Sequence, residues 1–471
     1  MTSQHILSLD YSFAVGSGSK AIDDAQLIKH ESSFQNALTN TLRRVQSGEL
    51  GFWNLPDDES LLASISELKK ALPKEIRHLL VLGIGGSSLG GKSLCHALSG
   101  SLEIPADAKQ NTPRVYFVDN SDPWYLQQLL ERIEASKTLV VPISKSGGTV
   151  ETMSQLLIVE QWLASTLGKQ TAKKHLVLIT DPKDGKLREK AQEEGIQTLA
   201  VPSNVGGRFS VLSAVGLFPA AMSGINIAEV QAGAREMKKA CAATSLKENP
   251  AGLLAILNYL HHQMHGRHVH VLMPYADALR PYAGWFVQLW AESLGKRLDL
   301  SGKEVHVGPT QLPAIGATDQ HAQLQLFSEG PDDKFYSFIE VLNAQKDLKI
   351  PESSGDLAYL AKHSLQAVLR AECLATRTAL HRQGRPSLCI KLSAVNERSL
   401  GALFFLHEAA TALAGELYRI NAFDQPGVEA SKQLTSGLLG RPGYEAYGKG
   451  LSLDAHSPSQ THLLECPLVR N

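Results

Sequence analysis

The sequence predicts an α/β protein with two doubly wound αβα-sandwich lobes and mainly parallel sheets. Two observations support this fold class. Short apolar runs without polar alternation, typical of parallel strands buried on both faces, recur from residue 78 onward. Segments with helical periodicity separate these runs, which predicts βαβ units. The chain of 471 residues is long enough for two or three domains.

The order of elements divides the chain into four parts. The strands predicted for the first lobe lie at 78–84, 115–120, 138–144, 175–180 and 197–203. A long helical region is expected at 209–265. Strands of a second group are expected at 268–275, 304–308, 335–342 and 388–394. We therefore predict a helical N-terminal segment at 1–59, lobes at 60–235 and 245–435, and a polar tail at 436–471.

The composition argues against several classes of function. The 46 Lys and Arg residues and the 47 Asp and Glu residues leave a net charge of −1, which would not attract nucleic acid or an anionic membrane. The longest apolar stretch, 211–222, is too short to span a bilayer, and we expect no signal peptide. The five cysteines have no paired spacing, which predicts free thiols, no metal site and a cytoplasmic protein.

The segment GIGGSSLGG, residues 83–91, connects a predicted strand to a predicted helix. The Ser87 and Ser88 hydroxyls, exposed backbone N–H groups of the loop and a helix N-terminus would together suit a phosphate monoester. A dinucleotide fingerprint requires a third glycine where Ser88 stands. Residues 86–93 match the spacing of a nucleotide-binding P-loop, but Lys92 would lie well inside the helix. A plain strand–helix turn remains an alternative.

A second loop, within PISKSGGTVET at 142–152, has the same position between a strand and a helix. It offers three hydroxyls and a cation, from Ser144, Ser146, Thr149 and Lys145. Loops that follow neighbouring parallel strands meet at one edge of the sheet, where ligands bind. Ordinary helix caps would explain either loop alone but explain the pair less well.

A predicted helix within 280–299 carries Gln288 and Glu292 outside its apolar face. Six residues form its apolar face: Leu279, Tyr282, Phe286, Leu289, Trp290 and Leu294. Gln288 and Glu292 lie one turn apart on another face. Taken alone, the carboxylate is best explained by a surface ion pair between Glu292 and Lys296.

Three other candidates have ordinary interpretations when each is taken alone. Arg208 precedes a helix expected near Ser210, where the helix dipole disfavours a cation by about 0.3–1 kcal/mol, which indicates a role outside that helix. A surface ion pair is the alternative for Arg208. His321 lies near a predicted helix start, and Lys432 lies three residues after Glu429, the spacing of a helical ion pair.

Several motifs together resemble the glucose-6-phosphate isomerase family, whose sugar isomerase (SIS) domains bind phosphosugars. They are the two hydroxyl-rich loops, GGRFSVLSAVGLFPAA at 206–221, GATDQHAQLQLF at 316–327 and FDQPGVEASKQL at 423–434. The resemblance runs in order from about residue 78 to residue 435. It implies two SIS-like lobes and the reversible isomerisation of D-glucose 6-phosphate and D-fructose 6-phosphate through ring opening and a cis-enediol intermediate.

The resemblance also implies a role for each candidate residue. Glu292 would be the base, Arg208 would stabilise the negative charge of the intermediate, and His321 and Lys432 would assist ring opening. The other candidates would contact the substrate: Gly86, Ser87, Ser144, Lys145, Ser146, Thr149, Gln288 and Gln425. The family needs no cofactor or metal. Its members are dimers in which the histidine crosses to the partner's site, and we expect the same of His321.

Three alternatives to this function remain. A dual-specificity isomerase would also act on mannose 6-phosphate, and Gln288 in place of a smaller hydroxyl residue argues mildly against it. A non-catalytic SIS protein would bind a phosphosugar without needing the base, the cation and the ring-opening residues together. A P-loop nucleotide hydrolase is the third alternative, and it rests on the spacing at 86–93 alone.

Overall fold

This computed structural model describes residues 5–16, 21–99 and 112–453. Within them, mainly parallel strands form two main sheets. The strands are β1 Leu7–Asp10, β2 His78–Leu82, β3 Arg114–Val118, β4 Thr138–Pro142, β5 Val177–Thr180, β6 Gln197–Ala200, β7 Val269–Pro274, β8 Lys296–Leu298, β9 Glu304–Val307, β10 Thr310–Pro313, β11 Lys334–Val341 and β12 Ser387–Leu392. The helices are α1 Asp24–Lys29, α2 Glu31–Gln46, α3 Glu59–Ala71, α4 Leu89–Ser99, α5 Pro123–Arg132, α6 Val150–Leu167, α7 Lys169–Ala172, α8 Lys186–Glu194, α9 Ala214–Met222, α10 Ile227–Ala240, α11 Pro250–His265, α12 Arg280–Leu294, α13 Leu324–Glu329, α14 Leu365–Arg382, α15 Glu397–Tyr418, α16 Glu429–Leu438 and α17 Glu445–Gly448.

The first sheet contains the five strands that the sequence predicts for the first lobe. β3, β2 and β4 pair in that order, β5 pairs with β6, and all of these pairs are parallel. Parallel bridges from Val140 to Leu176 and from Ile143 to Ile179 join β4 to β5. Leu82 at the end of β2 lies opposite Pro142 at the end of β4, so the loops that follow these two strands start side by side.

The second sheet has the order β1-β12-β11-β7-β10 and is parallel except for the antiparallel edge strand β1. Strand β1 lies within 1–59, the segment predicted to be helical, and it was missed because a run of four residues is too short to show a period. β10 was missed for the same reason, and it also contains Pro313. The strand expected at 304–308 forms as β9, but it pairs with β8 in a hairpin outside this sheet.

The helical region predicted at 209–265 contains α9, α10 and α11. The first of these begins at Ala214 rather than near Ser210, because the side chain of Ser213 caps it by accepting a 3.2 Å hydrogen bond from the N–H of Val215. Arg208 lies six residues before Ala214, in a single 3-10 turn at Gly207–Phe209. The argument from the helix dipole therefore does not apply to Arg208, and its function has to be inferred from its contacts.

Helix α12 is anchored on the central helix α15 through its apolar face. All six residues predicted for that face are at most 1% exposed. The hydroxyl of Tyr282 donates to the backbone carbonyl of Leu403 at 3.1 Å and lies 2.6 Å from Nδ1 of His407. Burial lowers the pKa of His407 to about 4, so its imidazole is neutral at pH 7. These contacts fix the helix that carries Gln288 and Glu292.

Helix α15 is long and apolar enough to cross a membrane, but 89% of its most apolar window is buried inside the protein, as in a core helix. The chain divides into two compact units, Met1–Ala422 and Phe423–Asn471. All described strands belong to the first unit, whereas α16 and α17 belong to the second. The assignment of 60–235 and 245–435 to two domains stays a prediction. The part of the predicted tail from residue 454 onward lies outside the described residues.

Candidate active site

The first loop is in backbone contact with the turn that carries Arg208. A Cβ atom on Gly86 would lie 2.2 Å from the carbonyl carbon and oxygen of Gly207 and 2.6 Å from the nitrogen of Arg208. Gly85 has a φ of +58°, and a Cβ there would lie 2.8 Å from Nε2 of Gln288. Glycine is therefore required at both positions, and the loop, the Arg208 turn and Gln288 meet at one place.

We expect Gly86→Ala to impair the candidate site more than the fold. The added methyl must push the first loop away from the Arg208 turn, with a stability cost of about 1–3 kcal/mol and a rise in the KM for a phosphosugar. Gly206→Ala is the matched control, because its Cβ would meet a single ordinary contact, 3.8 Å from Phe209. Steady-state kinetics and thermal unfolding check both variants. An unchanged KM for Gly86→Ala would contradict the assignment of this loop to substrate binding.

The P-loop alternative is not supported by the position of Lys92. This residue lies inside α4, and its ammonium group forms a 2.9 Å ion pair with the Asp119 carboxylate. The same carboxylate accepts a 3.3 Å hydrogen bond from the hydroxyl of the buried Ser88. Ser87, which is half-buried, lies in the 3-10 turn Gly85–Ser87. Asp119 was missed by the sequence analysis, although it directly follows β3 at the edge of the sheet where the loops begin.

The second loop is organised by its own hydroxyl groups. Oγ of the buried Ser144 lies 2.9 Å from Oγ1 of Thr149, and the Ser144 carbonyl accepts a 2.8 Å hydrogen bond from the hydroxyl of Thr180. Ser146 is exposed and accepts a 3.4 Å hydrogen bond from the N–H of Gly148. Thr149 stands at the N-cap of α6 but makes no capping hydrogen bond. The first turn of this long helix therefore keeps N–H groups with which an anion could interact.

Lys145 connects the second loop to the segment that leads to Arg208. Its ammonium group donates to the carbonyls of Ser203 at 2.6 Å and Val205 at 3.0 Å. Burial lowers its pKa, and the charge of Asp181 opposes this shift. Lys145 thus holds the second loop beside the Arg208 turn, and a direct contact between Lys145 and a substrate stays a prediction.

Arg208 and Glu292 face each other at the centre of the candidate site. Nη1 of Arg208 lies 3.7 Å from Oε2 of Glu292, and the same carboxylate oxygen accepts a 3.1 Å hydrogen bond from Nε2 of Gln288. The Arg208 side chain is 3% exposed, whereas that of Glu292 is 21% exposed. Lys296 donates to the backbone carbonyl of Glu292 at 2.7 Å. The cation is therefore fixed in the protein, and the carboxylate is accessible.

Two groups that hold Arg208 were missed by the sequence analysis. Nε of Arg208 donates to Oγ of Ser293 at 2.7 Å, and Nη2 donates to the carbonyl of Ala422 at 2.7 Å. Ser293 immediately follows Glu292, so its position beside the proposed base was a usable signal. A backbone carbonyl such as that of Ala422 gives no signal in the sequence.

The remaining candidates are His321, Gln425 and Lys432. The side chain of His321 is exposed and follows a 3-10 turn, Thr318–Gln320, and no hydrogen bond or ion pair in the described part of the chain joins it to Glu292 or Arg208. Gln425 and Lys432 belong to the second compact unit. There, Lys432 forms a 2.8 Å ion pair with Glu429, as its spacing predicts.

The cluster suits a proton transfer next to a developing negative charge. Glu292 can exchange a proton with a bound molecule because its carboxylate is accessible. Arg208 is a buried cation within reach of the same molecule, and a fixed charge in a site of low polarity stabilises an oxyanion strongly. The two loops provide hydroxyls, backbone N–H groups and the N-terminus of α6 for a phosphate group.

Known proteins with similar sequences share one name. The sequence model described as phosphoglucose isomerase matches residues 63–447. A glucose-6-phosphate isomerase from Carboxydothermus hydrogenoformans is 43% identical over 429 residues, which are 90% of this chain and 92% of that protein. Another from Methanocaldococcus jannaschii is 33% identical over 435 residues, which are 92% of this chain and 100% of that protein.

Solved structures give the same fold. A hypothetical protein from Thermus thermophilus matches with a TM-score of 0.82 at 36% identity, covering 92% of this chain and 100% of that chain. A glucose-6-phosphate isomerase from Chlamydia trachomatis matches with a TM-score of 0.77 at 22% identity, covering 92% of this chain and 88% of that chain. The similarity therefore extends over nearly the whole chain and includes both sheets.

Proposed function

The chain belongs to the phosphoglucose isomerase family, and from this premise we propose how it acts. It is an isomerase that interconverts D-glucose 6-phosphate and D-fructose 6-phosphate, a step of glycolysis and gluconeogenesis. The observation that supports the proposal most strongly is the accessible Glu292 carboxylate, 3.7 Å from the buried cation of Arg208. The reaction needs this combination, since a proton leaves a carbon while its neighbouring oxygen becomes negative.

Glu292 is the base of the proposed mechanism. It takes the proton from C2 of the open-chain aldose and returns it to C1. A proton also passes from O2 to O1, so that the C1 carbonyl becomes a hydroxyl and the C2 hydroxyl becomes the ketose carbonyl, and the reverse sequence gives the aldose. Gln288 donates to Oε2 of Glu292 and adjoins the first loop, so it keeps the carboxylate at a fixed place relative to the bound sugar. Arg208 stabilises the oxygen that becomes negative in the enediolate.

Two loops hold the phosphate group. The backbone at Gly86 and the hydroxyls of Ser87, Ser144, Ser146 and Thr149 contact it, together with the N-terminus of α6. Lys145 contributes by holding the second loop against the carbonyls of Ser203 and Val205, and its charge adds to the attraction for the phosphate. Binding energy from the phosphate places C1 and C2 beside Glu292.

Ring opening is assigned to His321 and Lys432, and Gln425 contacts the sugar. The protein acts as a homodimer in which His321 reaches the site of the partner subunit. The exposed imidazole of His321 supports this arrangement, because in the described residues it has no polar contact with Glu292 or Arg208. Dimers with two-fold symmetry are the commonest oligomers, and such symmetry would complete two sites at once.

A coupled assay tests the function directly. The purified protein is given fructose 6-phosphate, and glucose 6-phosphate is detected by a dehydrogenase that consumes it. We expect turnover with no added metal or nucleotide. Mannose 6-phosphate is supplied in a parallel reaction to test the dual-specificity alternative, which the names of the relatives do not favour. Absence of turnover with fructose 6-phosphate would refute the proposal and leave phosphosugar binding without catalysis.

The shared site predicts that two inactive variants restore activity when they form mixed dimers. A dimer of Glu292→Gln with His321→Ala has one subunit site in which both residues are intact, provided that His321 crosses the interface. Unfolding and refolding the two variants together should then give about a quarter of the wild-type activity. Each variant refolded alone is the control. If the mixture stays as inactive as its components, His321 does not cross to the partner.

We also propose that the protein is cytoplasmic. All four cysteines in the described residues are buried and unpaired, namely Cys95, Cys241, Cys373 and Cys389. Free thiols are typical of proteins in a reducing compartment. Fractionation of cells that express the tagged protein tests this assignment, and recovery in the membrane or secreted fraction would contradict it.

A further inference from the structure

Arg208 is held in the protein by contacts at different nitrogens of its guanidinium group. Nε donates to Oγ of Ser293 and Nη2 donates to the carbonyl of Ala422, both at 2.7 Å, whereas Nη1 lies on the side of Glu292. The guanidinium is planar, and its donors have fixed directions. Two anchors at different nitrogens therefore restrict the plane and the rotation of the group, and with them the direction in which Nη1 points.

Ser293 is placed to be one of these anchors by the helix that also carries the base. It is fully buried on α12 and immediately follows Glu292 in the chain. The apolar face of α12 packs this helix against α15, so the backbone at Ser293 is held together with the backbone at Glu292. One rigid helix thus sets the position of the carboxylate and, through Ser293, the orientation of the cation.

We propose that Ser293 is a positioning residue for the reaction, because its hydroxyl oxygen holds Nε of Arg208 so that Nη1 points towards the reacting oxygen of the sugar. This inference rests on the proposed function. Without the hydroxyl, the guanidinium keeps its charge and its contact with Ala422 but loses the hydrogen bond at Nε. Its stabilisation of the enediolate then weakens, while the phosphate loops still bind the substrate.

The first test compares Ser293→Ala with wild type in the coupled assay. We expect kcat to fall by about 10- to 100-fold and KM to stay within about threefold, since the lost interaction acts mainly in the transition state. Ser293→Thr keeps the hydroxyl and should restore most of the lost kcat. The matched control is Ser93→Ala on α4, because Ser93 is equally buried and its Oγ has no hydrogen-bond partner among the described residues. This control should keep the wild-type kcat.

A second measurement separates orientation of the cation from general damage to the fold. A five-carbon sugar phosphate that ends in a hydroxamate mimics the charged enediolate, whereas sorbitol 6-phosphate carries the same phosphate without that charge. We expect Ser293→Ala to weaken inhibition by the hydroxamate by at least about 10-fold and to leave inhibition by sorbitol 6-phosphate nearly unchanged. Thermal unfolding of both serine variants accompanies these measurements.

The outcomes distinguish this inference from the proposed function. If wild type does not isomerise fructose 6-phosphate, the proposed function fails. If wild type is active and Ser293→Ala has the kcat and the hydroxamate inhibition of wild type, the positioning role is refuted. Equal weakening of both inhibitors together with a lower melting temperature would mean that Ser293 only supports the fold, and this also refutes the inference.

Discussion

Glu292→Gln is expected to lower kcat by about 100- to 10,000-fold while phosphosugar binding survives. An amide has nearly the size and shape of a carboxylate but cannot accept a proton from carbon. Gln288 donates to Oε2 of Glu292 at 3.1 Å, and the amide oxygen of the variant can still accept that hydrogen bond. The phosphate loops are unchanged, so KM and the affinity for sorbitol 6-phosphate should stay close to those of wild type. The coupled assay and isothermal titration calorimetry measure the two quantities.

The matched control for this variant is Glu304→Gln. Glu304 lies on β9 and forms an exposed ion pair with Arg297, in which its side chain is 62% exposed. Such a pair contributes about 0–1 kcal/mol, so the control should keep both its kcat and its stability. Near-normal turnover in Glu292→Gln would show that another group removes the proton, and the mechanism proposed for the site would then be wrong.

The sequence predicted those parts of the fold that repeat a clear pattern. The five parallel strands of the first sheet and the apolar face of α12 were predicted correctly. Each contains enough apolar residues in a regular pattern to indicate that it is buried. Strands β1 and β10 were missed because four residues do not define a period. The start of α9 was misplaced because Ser210 and Ser213 are both plausible caps, and only the fold selects Ser213.

The sequence indicated some residues of the candidate site but not the contacts between them. Residues in glycine-rich or charged motifs, such as Gly86, Arg208 and Glu292, stood out in the sequence, and the structure brings these three together. The contacts between them could not be predicted, because they depend on how α12, the first loop and the Arg208 turn pack. Lys145 illustrates this limit, since its charge suggested a phosphate contact but its ammonium group bonds to two backbone carbonyls.

Removal of the cation should have an effect comparable to removal of the base. Arg208→Ala is expected to lower kcat/KM by about 100- to 1,000-fold, because the developing oxyanion loses a fixed charge in a site of low polarity. The variant also leaves Oγ of Ser293 and the carbonyl of Ala422 without this donor, which should lower the free energy of unfolding by about 1–3 kcal/mol. Arg208→Lys should recover little activity, since an ammonium group cannot meet acceptors on several sides at those distances.

The cavity left by Arg208→Ala keeps the groups that hold the guanidinium, and this permits a specific rescue. Ser293, Ala422 and Glu292 each face a different nitrogen of the wild-type guanidinium, so guanidinium ion should bind between them and raise the activity of the variant. Urea has the same planar shape without the charge, and ammonium has the charge without the shape, so neither should rescue. Measurements at constant ionic strength and at millimolar additive keep screening and denaturation from interfering.

Equal rescue by urea and guanidinium would mean that Arg208 fills space rather than stabilising charge. Full activity of Arg208→Ala without any additive would remove the cation from the mechanism.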